Sequence, residues 1–343
     1  MILKGIIQVT GPHDTGKTSF ALGCGAHPKS IAFFDDDIKG RATVQDFQEA
    51  GVEFGAYHDL VELEGRCDSM LEFHLHCKTL IESMKDQHYD AIIWDTWSRF
   101  AKTCHSYVMA NLKDFRRPQE WSAMGKIKAG EQWQEARRYE ARLLQYLNHI
   151  APTVIIVTHL KDFYLNNGKV PGVQVPASSK AIDRICRARV WLNHNPKSPV
   201  PIGLFLKRFD RKVVTDAGIR TRSVVPRKVV PREGDDSLWD AIWRYWDEPV
   251  GNRELTDDEK PDAFELSVLD GVLTKEQKRI FELMLEKGLI EPEPDEMLPE
   301  ERVPGDWKEL LAMTETGPGD WGGIGKLKAM GKDEIAEAWG ERG

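Results

Sequence analysis

"GIIQVTGPHDTGKTSFALGCG" (residues 5–25) decides the architecture of this 343-residue chain. Its first six residues are largely apolar and read as a strand buried on both faces. "GPHDTGKT" (11–18) follows with the spacing G-x-x-x-x-G-K-[ST], and "KTSFALGCG" reads as a helix. Strand, glycine-rich loop and helix, in that order, form a phosphate cradle, because successive backbone N–H groups converge on anionic oxygens. The loop residues Gly11, Pro12, His13, Asp14, Thr15, Gly16, Lys17, Thr18 and Ser19 are therefore expected to hold the phosphates of a nucleotide. Lys17 would reach the β- and γ-phosphates and Thr18 a Mg²⁺ ion. Gly11 and Gly16 let the backbone curl.

Working outward, "IAFF" (31–34), "DAIIWD" (90–95) and "PTVIIVTHL" (152–160) read as further buried strands, with helical spacing over 68–86 and 131–150. Strands alternating with helices predict an α/β fold with a mostly parallel central sheet and helices on both faces. "ARVWLNH" and "IGLFLKR" are expected to extend that sheet antiparallel. Asp95 ends its strand where an Mg²⁺-associated carboxylate should stand. The strand at 31–34 runs into Asp35, Asp36 and Asp37. Adjacent carboxylates repel one another and are costly beside apolar side chains. The end of such a strand opens on the ligand edge of the sheet. At least one of the three should face the γ-phosphate and deprotonate water, with Asp36 and Asp37 both candidates. The others would face solvent or bind Lys39 or Arg41. His159, at the end of its strand, is positioned to sense the γ-phosphate.

The composition, 41% hydrophobic and 30% charged, suits a globular chain. No apolar run approaches the roughly 18 residues that cross a membrane, and no signal peptide is legible. Five cysteines, an odd number without C-x-x-C spacing, predict reduced thiols and a cytoplasmic location. Net charge is −8 but uneven: residues 160–232 hold 16 Lys/Arg against 4 Asp/Glu, and residues 251–343 hold 12 against 24. A basic block beside an acidic tail predicts a polyanion partner and a tail that competes for the block. Within the block, Lys161, Phe163, Tyr164, Lys169 and Lys180 combine cations for phosphates with aromatics for stacking on unpaired bases, which suits single-stranded DNA. "NNGK" among them reads as a hairpin turn. Lys113, Arg116, Arg117, Lys126 and Lys128 could line the same groove. "FHLHC" (73–77) sits in a helix that points His74 and His76 apart, so it does not read as a metal site. Trp239, Trp243 and Trp246 share one helix face, expected to dock on the core. The expected organisation is an ATPase core over 1–233, a Trp-rich docking helix over 234–250, an acidic linker over 251–272 and an acidic tail with short helices over 273–343.

The segments "GPHDTGKT", "AFFDDD", "AIIWDT", "VIIVTH" and "LFLKRFDRK" together resemble the RecA-like ATPases over about residues 1–215. The resemblance implies a RecA-like P-loop NTPase fold with ATP and Mg²⁺ as cofactors. It places the catalytic base on Asp37 through the pattern A-F-[IF]-D-x-[ED], and the γ-phosphate sensor on His159, where that family often has Gln. It implies two DNA-binding loops, at about 112–130 and 161–180. It also implies a homo-oligomer in which Lys207 or Arg208 reaches a neighbouring subunit's nucleotide. Among such proteins the chain is most similar to compact phage-encoded ATPases of recombination and single-strand annealing. On this view the acidic tail would meet a single-strand-binding or replication partner. Two other classes share the P-loop: a kinase of a small molecule or nucleotide, with 104–130 as its lid, and a nucleotide-gated assembly factor.

Overall fold

The computed structural model describes residues 3–37, 40–111, 129–165, 168–177, 180–215, 218–247 and 255–270. In chain order the strands are β1 (Gly5–Thr10), β2 (Ile31–Asp35), β3 (Ala56–Asp59), β4 (Ala91–Asp95), β5 (Thr153–Val157), β6 (Leu160–Leu165), β7 (Gly168–Pro176), β8 (Ala188–Asn193), β9 (Ile202–Lys207), β10 (Asp210–Thr215), β11 (Gly218–Ser223) and β12 (Lys228–Val229). The helices are α1 (Lys17–Leu22), α2 (Gly40–Glu49), α3 (Leu60–Gly65), α4 (Met70–Ser83), α5 (Trp97–Ala110), α6 (Ala129–Ile150), α7 (Lys180–Ile185), α8 (Leu238–Asp247) and α9 (Ala263–Asp270). Two compact units result, one of Met1–His159 with Pro176–Pro261, the other of Leu160–Val175 with Asp262–Gly343.

The first unit is built on an eight-stranded sheet in the order β12-β9-β8-β1-β5-β4-β2-β3. Strands β1, β2, β3, β4, β5 and β8 run parallel; β9 and β12 run antiparallel to their neighbours. This is the mostly parallel, helix-flanked sheet of a RecA-like P-loop fold. The central strands are apolar throughout because both faces are covered. Ile7, Val9, Phe33, Ile93 and Ile155 pack on one side with Phe20 and Ala21 of α1 and with α8. Ile6, Phe34, Ile92 and Ile156 pack on the other with Phe73, Phe100 and Leu144 of α4, α5 and α6.

Three particulars differ from the sequence reading. Strand β8 does not extend the sheet antiparallel: it pairs parallel with β1, Val9 opposite Val190. The stretch between β5 and β8, which includes α7, is long enough for the crossover that parallel pairing requires. The half-exposed edge strand β3 was not anticipated. The helix expected over 68–86 begins at Met70, where the Ser69 hydroxyl accepts from the Glu72 N–H, an N-cap. His74, within it, has Nδ1 2.9 Å from Thr103 Oγ1 and Nε2 2.8 Å from the Tyr139 hydroxyl.

Helix α8 buries Leu238, Trp239, Ala241, Ile242 and Tyr245, with Trp243 and Trp246 partly covered. The Trp239 ring stacks on Phe20 at 4.5 Å, and its N–H donates to the Phe20 carbonyl at 2.6 Å. A helix far along the chain thus holds the last turn of the P-loop helix. Trp239→Ala should cost about 3–5 kcal/mol of stability, measured by urea unfolding; a cost below about 1 kcal/mol would show that α8 does not brace α1.

In the second unit, β6 and β7 pair as a two-stranded sheet, and residues 166–167, where the turn is expected, lie outside the described residues. Helix α9 is capped reciprocally: Asp262 Oδ1 accepts from the Glu265 N–H, and Glu265 Oε2 from the Asp262 N–H, each at 2.8 Å. The helices expected over 273–288 and 306–340 and the extended acidic stretch lie outside the described residues. Among the described residues no helix is long and apolar enough to cross a membrane.

Candidate nucleotide site

The loop leaves β1 at Gly11, whose φ of 151° and surroundings exclude a side chain: a Cβ there would sit 2.3 Å from the Leu192 carbonyl oxygen of β8. Gly16, at φ 72°, turns the chain left-handed into α1, as glycine does without steric cost. Asp14 also takes a positive φ, 59°. Inside the turn the Thr15 hydroxyl donates to the Pro12 carbonyl at 3.0 Å, and the Lys17 ammonium donates to the same oxygen at 2.5 Å. Burial lowers the Lys17 pKa, opposed by the nearby carboxylates of Asp95, Asp37 and Asp14. His13, Asp14 and Ser19 are exposed.

Thr18 and Asp95 meet across 77 residues of sequence, the hydroxyl donating to Asp95 Oδ2 at 2.5 Å. Asp95 is buried at the end of β4, and its carboxyl is pushed up to about 7, chiefly by burial and against the Thr18 hydrogen bond. A buried carboxyl of this kind next to the hydroxyl of the residue that follows Lys17 suits a hard divalent cation with oxygen ligands. The residues present therefore fit Mg²⁺, which Thr18 and Asp95 would hold.

The three consecutive aspartates are divided by the period of the strand. Side chains alternate across a sheet, so Asp35 and Asp36 go to opposite faces. Asp35, on the side of Phe33, accepts from the Tyr57 hydroxyl at 2.8 Å and from the Asp37 N–H at 3.2 Å. Asp36, on the side of Phe34, is 3% exposed. Among the described residues neither of its carboxylate oxygens accepts a hydrogen bond, and the Arg99 guanidinium stands 3.3 Å from Oδ1. Asp37 lies past the strand, with its charge felt at Lys17, Asp95 and His159. The expectation that the other two face solvent or bind Lys39 or Arg41 is corrected: both are buried, and Arg41 pairs with Asp59.

Burial raises the Asp36 carboxyl to about 7, with Arg99 opposing. It holds its proton when folded at pH values where the unfolded chain, near pKa 4, has released it. The stability this lends is full below about pH 4 and is lost as pH climbs to 7. The nucleotide-free protein should accordingly lose thermal stability between pH 5 and pH 8, and Asp36→Asn should lose less. Parallel melting curves for the two proteins would count against this assignment.

His159, after β5, has Nε2 3.3 Å from Thr96 Oγ1, and its N–H donates to the Ser98 hydroxyl at 2.8 Å. Its ring centre is 6.4 Å from that of His13, across the P-loop. Burial lowers its pKa, with Asp37 opposing. Lys17, Thr18, Asp95, Asp37 and His159 thus gather at one end of the sheet, and Asp36 is turned away from them. Two residues there were not singled out from sequence: Arg99, which pairs with both Asp36 and Glu64, and Ser98. Their place in the first turn after β4, directly following Asp95, is the signal that could have found them.

The remaining sequence candidates are dispersed. Lys161 is exposed at the start of β6; Phe163 lies on β6, as does Tyr164, with Lys169 on β7 and Lys180 opening α7. Residues 112–128, with Lys113, Arg116, Arg117, Lys126 and Lys128, lie outside the described residues. Lys207 donates to the carbonyls of Asp183 (3.4 Å) and Arg184 (3.3 Å) of its own chain, whereas Arg208 is exposed.

No curated protein matches this sequence. Among solved structures, the chain is similar to the KaiC-like protein PH0186 from the hyperthermophilic archaeon Pyrococcus horikoshii OT3, at 15% identity. The likeness covers 64% of this chain and 91% of that one, with a TM-score of 0.33. The family model described as an AAA domain matches residues 4–184, more than half of the chain, from the first strand through nearly all of α7. Because that span takes in the phosphate loop and both residues that fit the metal, the chain belongs to the AAA domain family of P-loop ATPases.

Proposed function

We propose that this protein hydrolyses ATP in a single-stranded-DNA-dependent manner, as a homo-oligomer, in phage DNA recombination, annealing or replication. The observation that carries the hydrolytic part is the convergence of Asp37, Lys17, Thr18 and Asp95 at one sheet end. The loop amides and Lys17 hold the triphosphate. Thr18 and Asp95 would hold a magnesium ion, which when bound would supply positive charge to the phosphoryl oxygens. Asp37 accepts a proton from water as the water oxygen bonds to the γ-phosphorus. The bond from that phosphorus to the bridging oxygen breaks, ADP carries away the electron pair, and the proton passes to solvent. His159 would sense the γ-phosphate, and Arg208, exposed, would be a cation for a neighbouring subunit's nucleotide.

The DNA part is supported by the basic block over 160–232 and by the cations and aromatics of β6 and β7. Phosphate release with and without single-stranded DNA, at low and moderate salt, tests it. Stimulation that fades with salt is expected. Hydrolysis indifferent to DNA would return the chain to the assembly-factor class, and phosphoryl transfer to an acceptor other than water to the kinase class.

A further inference from the structure

The hairpin β10–β11 is a separate two-stranded ribbon that follows β9 directly. Its register is fixed: Arg211 stands opposite Arg222, Val213 opposite Arg220, and Thr215 opposite Gly218. Alternation puts these six positions on one face. Three are arginine and none is acidic. The opposite face takes Asp210, Lys212 and the apolar pair Val214–Ile219. The only acid of the two strands is therefore on the other side.

Two like charges directly opposite one another destabilise an antiparallel pair, and an isolated two-stranded ribbon is marginal to begin with. The base of this ribbon is anchored to offset that. Phe209 and Val224, which flank it, are buried, and the Val224 N–H donates to the Phe209 carbonyl at 2.8 Å. The Phe209 ring packs edge-on against Phe205 and Trp246. A rooted ribbon whose register brings three arginine positions to one face suits an anionic partner. Guanidinium groups bind phosphate oxygens bidentately, which distinguishes such a face from a merely solvated lysine surface.

We infer that the Arg211/Arg220/Arg222 face of the β10–β11 ribbon is a binding surface for the phosphodiester backbone of nucleic acid. It belongs to a different two-stranded sheet from β6–β7. The inference rests on the nucleic-acid reading above and deepens it by naming a second contact. Being carried by backbone phosphates, the contact is sequence-independent, and single-stranded and duplex DNA are its two possible sources.

The test is fluorescence anisotropy of a labelled oligonucleotide, single-stranded and duplex, against the full chain carrying Arg211→Gln, Arg220→Gln and Arg222→Gln, between about 50 and 200 mM salt. The expected result is affinity about tenfold or more weaker at the low-salt end. The slope of log K against log salt should become shallower by roughly 2, from about 0.7 for each of three phosphates on a single strand. The thermal midpoint should hold or rise as the repulsion is removed, and DNA-free hydrolysis should be unchanged. A triple Lys variant should keep most of the slope. If the triple Gln variant melts early, Arg220→Gln alone decides, with a slope change of about 0.7 expected. A loss confined to duplex supports the surface and assigns it to duplex. Unchanged affinity and slope, with a wild type that binds DNA, would overturn the ribbon and leave the DNA-dependent reading standing. A wild type that binds no nucleic acid even at low salt would overturn both.

Discussion

Lys17→Ala should lower steady-state ATP hydrolysis by roughly 10²–10³-fold, the scale on which losing one preorganised charge at a developing anion is felt. Its ammonium is pre-placed: it lies on the Pro12 carbonyl inside the loop, and the carboxylates of Asp95, Asp37 and Asp14 oppose the lowering of its pKa by burial. That same oxygen also holds the Thr15 hydroxyl, so the loop keeps its shape when the lysine is removed. The lesion should therefore appear in hydrolysis and in nucleotide affinity but not in the unfolding midpoint without nucleotide. Phosphate release and thermal melting of the same preparation check both halves. Activity within threefold of wild type would show that Lys17 does not meet the reacting phosphate.

Asp37→Asn should lower kcat by about 10²–10⁴-fold, the usual worth of a general base, and leave nucleotide binding nearly intact. Asparagine keeps the size of the side chain and its capacity to orient water, but it takes no proton. The neighbouring substitution is the control. Asp36 points to the other side of the sheet, against Arg99, so Asp36→Asn should disturb hydrolysis far less than Asp37→Asn while altering the pH dependence of melting. Single-turnover hydrolysis with both variants separates them. Equal losses would mean that strand geometry, rather than a proton acceptor at Asp37, sets the rate.

The contrast between these two residues shows where sequence reading succeeds and where it stops. Strands β1, β2, β4 and β5 were legible because each is a short apolar run with both faces buried, a local property. The P-loop was legible because its spacing encodes its own curvature. Strand β3 escaped because "AYHD" is half-exposed at a sheet edge and its last residue doubles as the N-cap of α3. The direction of β8 escaped because strand pairing joins residues far apart in sequence, and nothing within "ARVWLNH" states its partner. The three aspartates read as one cluster, whereas alternation distributes them among a tyrosine, an arginine and the phosphate edge. Arg99 had no distinguishing motif: its role as counter-ion exists only once α5 lies beside β2.

Gly11 has a consequence for dissecting the molecule. The loop is shaped against the Leu192 carbonyl of β8, yet the span matched by the family model ends at residue 184. A truncation at that border would remove the wall against which the loop is moulded. It would also leave β1 as a raw sheet edge, with unpaired N–H and C=O groups open to any passing strand. A fragment that keeps the walls of the loop therefore extends through β8 and β9 to the end of α8 at Asp247, where Trp239 closes over Phe20. Bounds drawn by sequence similarity and bounds drawn by hydrogen bonding differ here by residues 185–247, about a third of the matched length, and a fragment for crystallography or exchange measurements should follow the second.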